Sequence, residues 1–151
     1  MNIEPVQLNP QVEALLTQAG LPVSDLREAR GLQLFAMRAD ERLTGVVGIE
    51  VHGAAGLLRS LAVDTPQRNG GQGKALVSHV ESWATQRGIK ALYLLTTTAA
   101  EFFAHLGYEA IPRSAAPPAI AGTGQFTGLC PSSSIFMRKA LAVSSTRNLT
   151  K

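Results

Sequence analysis

The chain has 151 residues, a formal charge of +3 and 45% hydrophobic side chains, which suits one compact domain with a real core and excludes an intrinsically disordered chain. Its basic residues are scattered, no apolar stretch approaches ~20 residues, and the first ten residues lack a basic-then-apolar signal pattern. The expectations are therefore no nucleic-acid partner, no membrane span and a cytoplasmic location, and a single cysteine, Cys130, with three separated histidines predicts neither an internal disulfide nor a metal site.

Residues 3–8 read as a short edge strand, because Pro5 cannot donate to a sheet ladder. Pro10 stands near the start of a helical run in which Val12, Leu15, Leu16 and Ala19 share one face, and Gly20 stops it. Residues 22–29 predict a short second helix with Ser24 as N-cap. Strands are expected over 32–38, 43–51 and 57–63; the polar break at 39–42 suits a hairpin turn, and Gly53-Ala-Ala-Gly makes the next one. The third strand, LLRSLAV, carries apolar residues on both faces and is placed centrally.

A glycine-rich stretch, QRNGGQGKAL at 67–76, leads into a helix over 73–87. Leu76, Val77, Val80, Trp83 and Ala84 form its buried stripe, and Gly88 ends it. Residues 90–98 are a second buried strand. A strand, a crossover helix and another strand make these two strands parallel neighbours. A short helix follows at 99–106, capped by Thr98 and stopped by Gly107, and further strands are expected at 108–111 and 133–141. Residues 112–131 are rich in proline and glycine and read as a loop or a short irregular helix, a kind of segment that is often functional. The domain is expected to span 1–141, with 142–151 as a frayed tail and no internal repeat.

The glycine stretch joins a buried strand to a helix N-terminus, where unpaired N–H groups and the helix dipole suit an anion. A P-loop needs glycine where Arg68 stands and a hydroxyl where Ala75 stands. A dinucleotide fingerprint needs glycine where Leu76 stands. The pattern Arg/Gln-x-x-Gly-x-Gly/Ala, by contrast, is matched throughout by Arg68-Asn69-Gly70-Gly71-Gln72-Gly73. This resembles the acyl-CoA motif of the GNAT superfamily of N-acetyltransferases, and AAEFFAHLGY at 99–108 resembles that family's second CoA-side motif. The resemblance covers about residues 2–141. It implies an α/β (α+β) fold with a mixed, mostly antiparallel central sheet, a parallel pair at the CoA site and helices on both faces. The segments LLRSLAV, LYLLTTTAAEFFAHLGY and Ala-Pro-Pro-Ala-Ile…Leu-Cys-Pro are further similar to a GNAT subgroup found with arsenic-resistance genes, which implies an amine-bearing arsenical or amino-acid analogue as acceptor.

The resemblance implies acetyl-CoA as co-substrate. Its pyrophosphate would lie on the backbone of Asn69, Gly70, Gly71, Gln72, Gly73 and Lys74, with Arg68 facing the adenosine phosphates or bracing the loop. The strand Leu61, Ala62, Val63 would carry a bulge, pair with the pantetheine arm and aim an N–H at the thioester oxygen. Thr96 and Phe103 stand where the family often has asparagine and tyrosine, so the usual phenolic acid is replaced by Phe103. A thiolate leaving without a dedicated acid is the first reading, since a thiol ionises near ~8.5; Tyr108, Tyr93 and Cys130 are the alternatives.

Glu50 and His52 end the second strand of the hairpin on one face, and Glu50 acting through a water is the candidate base, with a solvated strand end as its alternative. His79 and His105 are read as solvated. Arg59, inside an apolar strand, must face a cleft or be paired; it is a candidate to hold the acceptor's carboxylate or oxyanion, beside Thr97 and Arg113. The expected partner is a small-molecule amine, and an exposed sheet edge leaves a homodimer open. A noncatalytic acyl-CoA sensor and a protein N-acetyltransferase are the rival readings on the same fold.

Overall fold

The computed structural model describes residues 2–21, 31–64, 71–97, 99–122 and 134–141. The helix expected over 22–29, the loop residues Arg68, Asn69 and Gly70, the cap Thr98, Cys130 and the tail 142–151 lie outside the described residues. The chain divides into two compact units, Met1–Glu50 with Leu58–Ser82 and Val51–Leu57 with Trp83–Lys151.

The first unit is built from β1 (Asn2–Val6), α1 (Pro10–Gln18), β2 (Leu32–Ala39), most of β3 (Arg42–His52), the second part of β4 (Ala55–Val63) and most of α2 (Gln72–Gln86). β1 pairs antiparallel with β2, Asn2 opposite Arg38 through Val6 opposite Leu34. β2 pairs antiparallel with β3, Leu32 opposite Glu50 through Ala39 opposite Arg42. The hairpin turns on Asp40, whose φ of 58° lies in the left-handed region that aspartate tolerates. The register slips between Met37 and Arg38, and the buried Thr44 hydroxyl donates to the Met37 carbonyl at 3.2 Å.

Two helices cover the two faces of this unit's sheet, as strand alternation requires. α1 starts on Asn9, whose side chain accepts from Val12 N–H at 2.9 Å, with Pro10 at the first helical position. It buries Val12, Leu15 and Leu16 against Leu34, Val46 and Ala62. Ala19, expected on that face, is exposed, because the helix ends at Gln18 and Gly20 turns away with φ 74°. On the other face, α2 comes so close to β3 that a Cβ on Gly45 would lie 2.8 Å from Leu76 Cδ1. Beside that contact, His79 stands edge-on to Phe35 with ring centroids 4.8 Å apart. His79 is half-buried rather than solvated, since its position flanks the Leu76–Val80 stripe that this face buries.

The second unit contains the first residues of β4 together with β5 (Ala91–Thr96), α3 (Ala100–His105), β6 (Glu109–Ala110), a 3-10 turn (Arg113–Ala115), α4 (Pro118–Ala121) and β7 (Ile135–Ala140). β4 and β5 are parallel through Ala55–Ala91, Gly56–Leu92 and Leu57–Tyr93, as the crossover rule requires. β5 pairs antiparallel with β7, which pairs antiparallel with β6. Leu57, Ala91, Tyr93, Ile120 and Phe136 form this unit's core, with the Tyr93 and Phe136 rings stacked at 5.7 Å. β3 and β4 run through both units, so the strand order along the seven-stranded sheet is β1-β2-β3-β4-β5-β7-β6. β1 is an edge and β4 the centre, as Pro5 and the two-sided apolar pattern of LLRSLAV require. Where 112–131 reads as irregular, the structure describes a 3-10 turn and the single helical turn α4.

Candidate functional site

The N-terminus of α2 is organised by Gly71. Its φ is 82°, which favours glycine, and its carbonyl accepts from Ala75 N–H at 3.0 Å, so Gly71 caps the helix. A Cβ there would meet nothing within 4 Å among the described residues, and the positive φ by itself favours glycine. Gln72 and Gly73 are half-buried and Lys74 is exposed on the first turn. The first N–H groups of an α-helix have no intrahelical acceptor and point along the positive end of the dipole. Asp64, the last described residue before the glycine-rich stretch, is tied down on both sides. Its N–H donates to the Thr44 carbonyl at 2.8 Å and its carboxylate accepts from Arg42 Nη2.

β4 carries a second backbone feature just before this point. Ser60 has φ 61° although it is not glycine, a conformation that costs an L-residue roughly 1–2 kcal/mol. Leu61, Ala62 and Val63 follow it; Ala62 is in the α1 core and the other two are half-buried. Among the described residues the parallel ladder ends at Leu57–Tyr93, ahead of the kink. Ser60 stands one residue before the run Leu61–Val63 in which a bulge is expected, and what is observed there is the left-handed φ of Ser60 itself.

Beside Ser60 lies a buried ion pair. Arg59 Nη1 donates to Glu50 Oε2 at 2.6 Å, with side-chain exposures of 0% and 5%. Arg59 Nε also donates to Ser60 Oγ at 3.3 Å. The two residues read separately from the sequence, Glu50 as base and Arg59 as acceptor anchor, are engaged with each other. Glu50 is not a solvated strand end: it pairs with Leu32 across β2 and is covered. Of the two readings given for Arg59, the ion pair is the one observed.

The second unit holds the remaining candidates. Thr96 ends β5 and its Oγ1 accepts from Ala99 N–H at 3.0 Å, so it caps the approach to α3. Thr97, exposed, lies one residue on. Phe103 is buried on α3, edge-on to Phe102 at 5.0 Å and to Tyr108 at 5.5 Å. Tyr108 is itself buried, with Lys139 Nζ 5.6 Å from its ring centre. The Tyr93 hydroxyl accepts from Arg138 Nε at 3.3 Å. Arg113 Nη2 donates to the Ser134 carbonyl at 3.1 Å, and the buried Ser134 Oγ has no hydrogen-bond partner among the described residues. His105 is exposed and its Nδ1 donates to the Glu101 carbonyl at 2.7 Å.

Sequence reasoning passed over Ser60, Asp64 and Ser134. For Ser60 a signal existed: in LLRSLAV two apolar residues precede two polar ones, which breaks the alternation of a flat strand. Ser134 carried none, since nothing in the sequence says that its hydroxyl is covered. Among the described residues no group of three or more His, Cys, Asp or Glu is placed to hold a metal, and no helix is long and apolar enough to cross a membrane.

A strand with a left-handed break, then a glycine-capped helix, then a parallel strand defines the class. The profile of the acetyltransferase (GNAT) domain matches residues 30–110, more than half of the 151-residue chain, and the chain belongs to the GNAT acetyltransferase family. Among named relatives, the amino-acid acetyltransferase of Pseudomonas fluorescens (strain Pf0-1) is 42% identical over 55 residues, which are 36% of this chain and 13% of that protein. The chain therefore spans a small part of the curated relatives it matches. The fold is similar to N-acetylglutamate synthase from Neisseria gonorrhoeae complexed with coenzyme A and N-acetyl-glutamate, at TM-score 0.75 and 20% identity, over 94% of this chain and 36% of that one. It is equally similar to Tetrahymena GCN5, at TM-score 0.75 and 11% identity, over 94% and 97%. At such identities the likeness is one of fold.

Proposed function

We propose that the protein is an acetyl-CoA-dependent N-acetyltransferase acting on the amine of a small, amino-acid-like molecule. The observation that carries the reading is the junction of β4 and α2: a left-handed Ser60, the short run Leu61–Val63, and a helix opened by a left-handed glycine at 71. A pyrophosphate suits that helix end, because the first N–H groups of a helix lack intrahelical acceptors and Gly71 and Gly73 carry no Cβ. Gly71, Gln72, Gly73 and Lys74 would hold it, together with Arg68, Asn69 and Gly70, and the backbone of Leu61, Ala62 and Val63 would hold the pantetheine arm.

In the reaction the neutral amine attacks the thioester carbonyl carbon. A C–N bond forms, the C–S bond breaks, the electron pair leaves on sulfur, and the nitrogen loses its proton to water. A donor aimed at the carbonyl oxygen stabilises the charge that develops there. With Phe103 in the tyrosine's place, the sulfur leaves as thiolate, which its low pKa permits. The small-molecule reading is supported by the amino-acid acetyltransferase relatives, and an arsenical amino-acid analogue belongs to the same acceptor class. Thr97 and Arg113 are the described candidates to line the acceptor's side, and a homodimer through an edge strand remains compatible with the reading.

The test is direct. Isothermal titration should show CoA binding to the wild-type protein and none to Gly71→Glu, which sets bulk and negative charge at the pyrophosphate. Unchanged affinity in the variant sinks the loop assignment. A thiol-release assay with acetyl-CoA against amino acids, their arsenical analogues, polyamines and peptides then identifies the acceptor class. Tight CoA binding without turnover on any amine favours a noncatalytic sensor, and turnover on peptides alone favours a protein acetyltransferase.

A further inference from the structure

The buried pair beside Ser60 is more than the filling of a core. Glu50 Oε2, Arg59 Nη1, Arg59 Nε and Ser60 Oγ form one hydrogen-bonded chain, with links of 2.6 and 3.3 Å. It starts on β3 and ends on the residue whose backbone is left-handed. All three residues are at most 5% exposed. A non-glycine residue persists in that conformation only where its surroundings over-determine it, and such residues cluster at functional sites. A buried ion pair is a poor source of stability, because apolar residues of similar volume often replace it without loss; its best-attested use is to specify one geometry. β3 lies beside this point: a Cβ on Gly48 would stand in ordinary van der Waals contact, at 3.5 Å, with the Arg59 carbonyl.

We propose that Glu50 is a positioning residue. Through Arg59 it holds Ser60 in the left-handed conformation, and so sets the direction in which the backbone of Leu61, Ala62 and Val63 meets the acyl-CoA. The inference rests on the reading of β4 as the strand that carries the donor. It reassigns Glu50 from proton transfer, since its Oε2 is held by the guanidinium in a covered ion pair, to aiming the strand.

Two sets of variants test it, after titration has shown that the wild type binds CoA; a wild type that binds none overturns the functional reading and this inference together. Glu50→Leu combined with Arg59→Met removes both charges while keeping the volume. It should fold, as judged by circular dichroism and a cooperative melt, yet bind CoA at least about tenfold more weakly. Adding Ser60→Gly should restore most of that affinity, because glycine reaches the left-handed region unaided. Wild-type affinity in the pair variant, or no recovery on adding the glycine, overturns the proposal while leaving the functional reading intact. Glu50→Gln serves if the pair variant fails to fold, since it keeps an acceptor for Arg59. It should raise KM for acetyl-CoA by about threefold and leave the acid limb of the kcat–pH profile in place. A fall in kcat of about a hundredfold or more, with loss of that limb, would show a general base and overturn the proposal.

Discussion

Asn9 and Phe103 show how differently single residues speak in this chain. Asn9 satisfies the Val12 N–H at the start of α1, a local interaction that sequence spacing exposes. Asn9→Ala should cost about 1 kcal/mol, measured by urea denaturation, with m unchanged; no loss would mean that water replaces the cap. Phe103 is legible only as a departure from a motif. Its packing against Phe102 and Tyr108 is tertiary. Phe103→Tyr places a hydroxyl in a buried position and should cost about 1–3 kcal/mol if that hydroxyl finds no partner. The same variant, melted with and without saturating CoA, reports whether the hydroxyl reaches the bound sulfur. The expected outcome is an equal loss in both states, and a smaller loss with CoA, accompanied by a higher kcat, would show that protonation of the leaving thiolate limits turnover.

At the scale of elements, β3 and α2 explain each other. Glycines within a strand ordinarily weaken it, yet Gly45 and Gly48 stand in a buried stretch of β3. Gly45 lets Leu76 of α2 approach, and Leu76 is fully buried, so its methyl has little room to yield. Gly45→Ala should therefore destabilise by about 1–3 kcal/mol through overpacking. Because the displaced helix is the one whose first turn would hold the CoA pyrophosphate, CoA affinity should fall with stability; calorimetry on the folded variant checks this. A variant that melts and binds like wild type would show that Leu76 changes rotamer freely. The parallel β4–β5 pair follows from the crossover rule alone, whereas no such local rule requires the left-handed backbone of Ser60 further along β4.

For the molecule as a whole, a ligand that binds only the folded state raises stability by mass action. Acetyl-CoA at a hundred times its Kd should contribute about 2.7 kcal/mol, which for a chain of this size is a rise in Tm of roughly 5–11 °C. A thermal-shift series checks it. No shift with acetyl-CoA or CoA, set against a shift with an unrelated dinucleotide, would overturn the choice of acyl-CoA over the other anions considered for the glycine stretch. If Lys74, exposed on the first turn of α2, supplies part of the proposed attraction, the rise should shrink with added salt.

Much of the fold was legible because its signals are local and periodic: the apolar stripes of α1 and α2, the hairpin between β2 and β3, the central β4, and the strand–helix–strand unit that makes β4 and β5 parallel. For the glycine stretch the sequence narrows the choice, since Arg68 and Ala75 spoil the competing phosphate motifs and leave one pattern standing, and its role as donor loop is a proposal. Tertiary structure alone joined Glu50 to Arg59. The two are nine positions apart, on neighbouring strands, and nothing local states which carboxylate a buried guanidinium will find. It also decided the conformation of Ser60, because a left-handed serine is unfavourable by itself and exists only where the packed surroundings compel it.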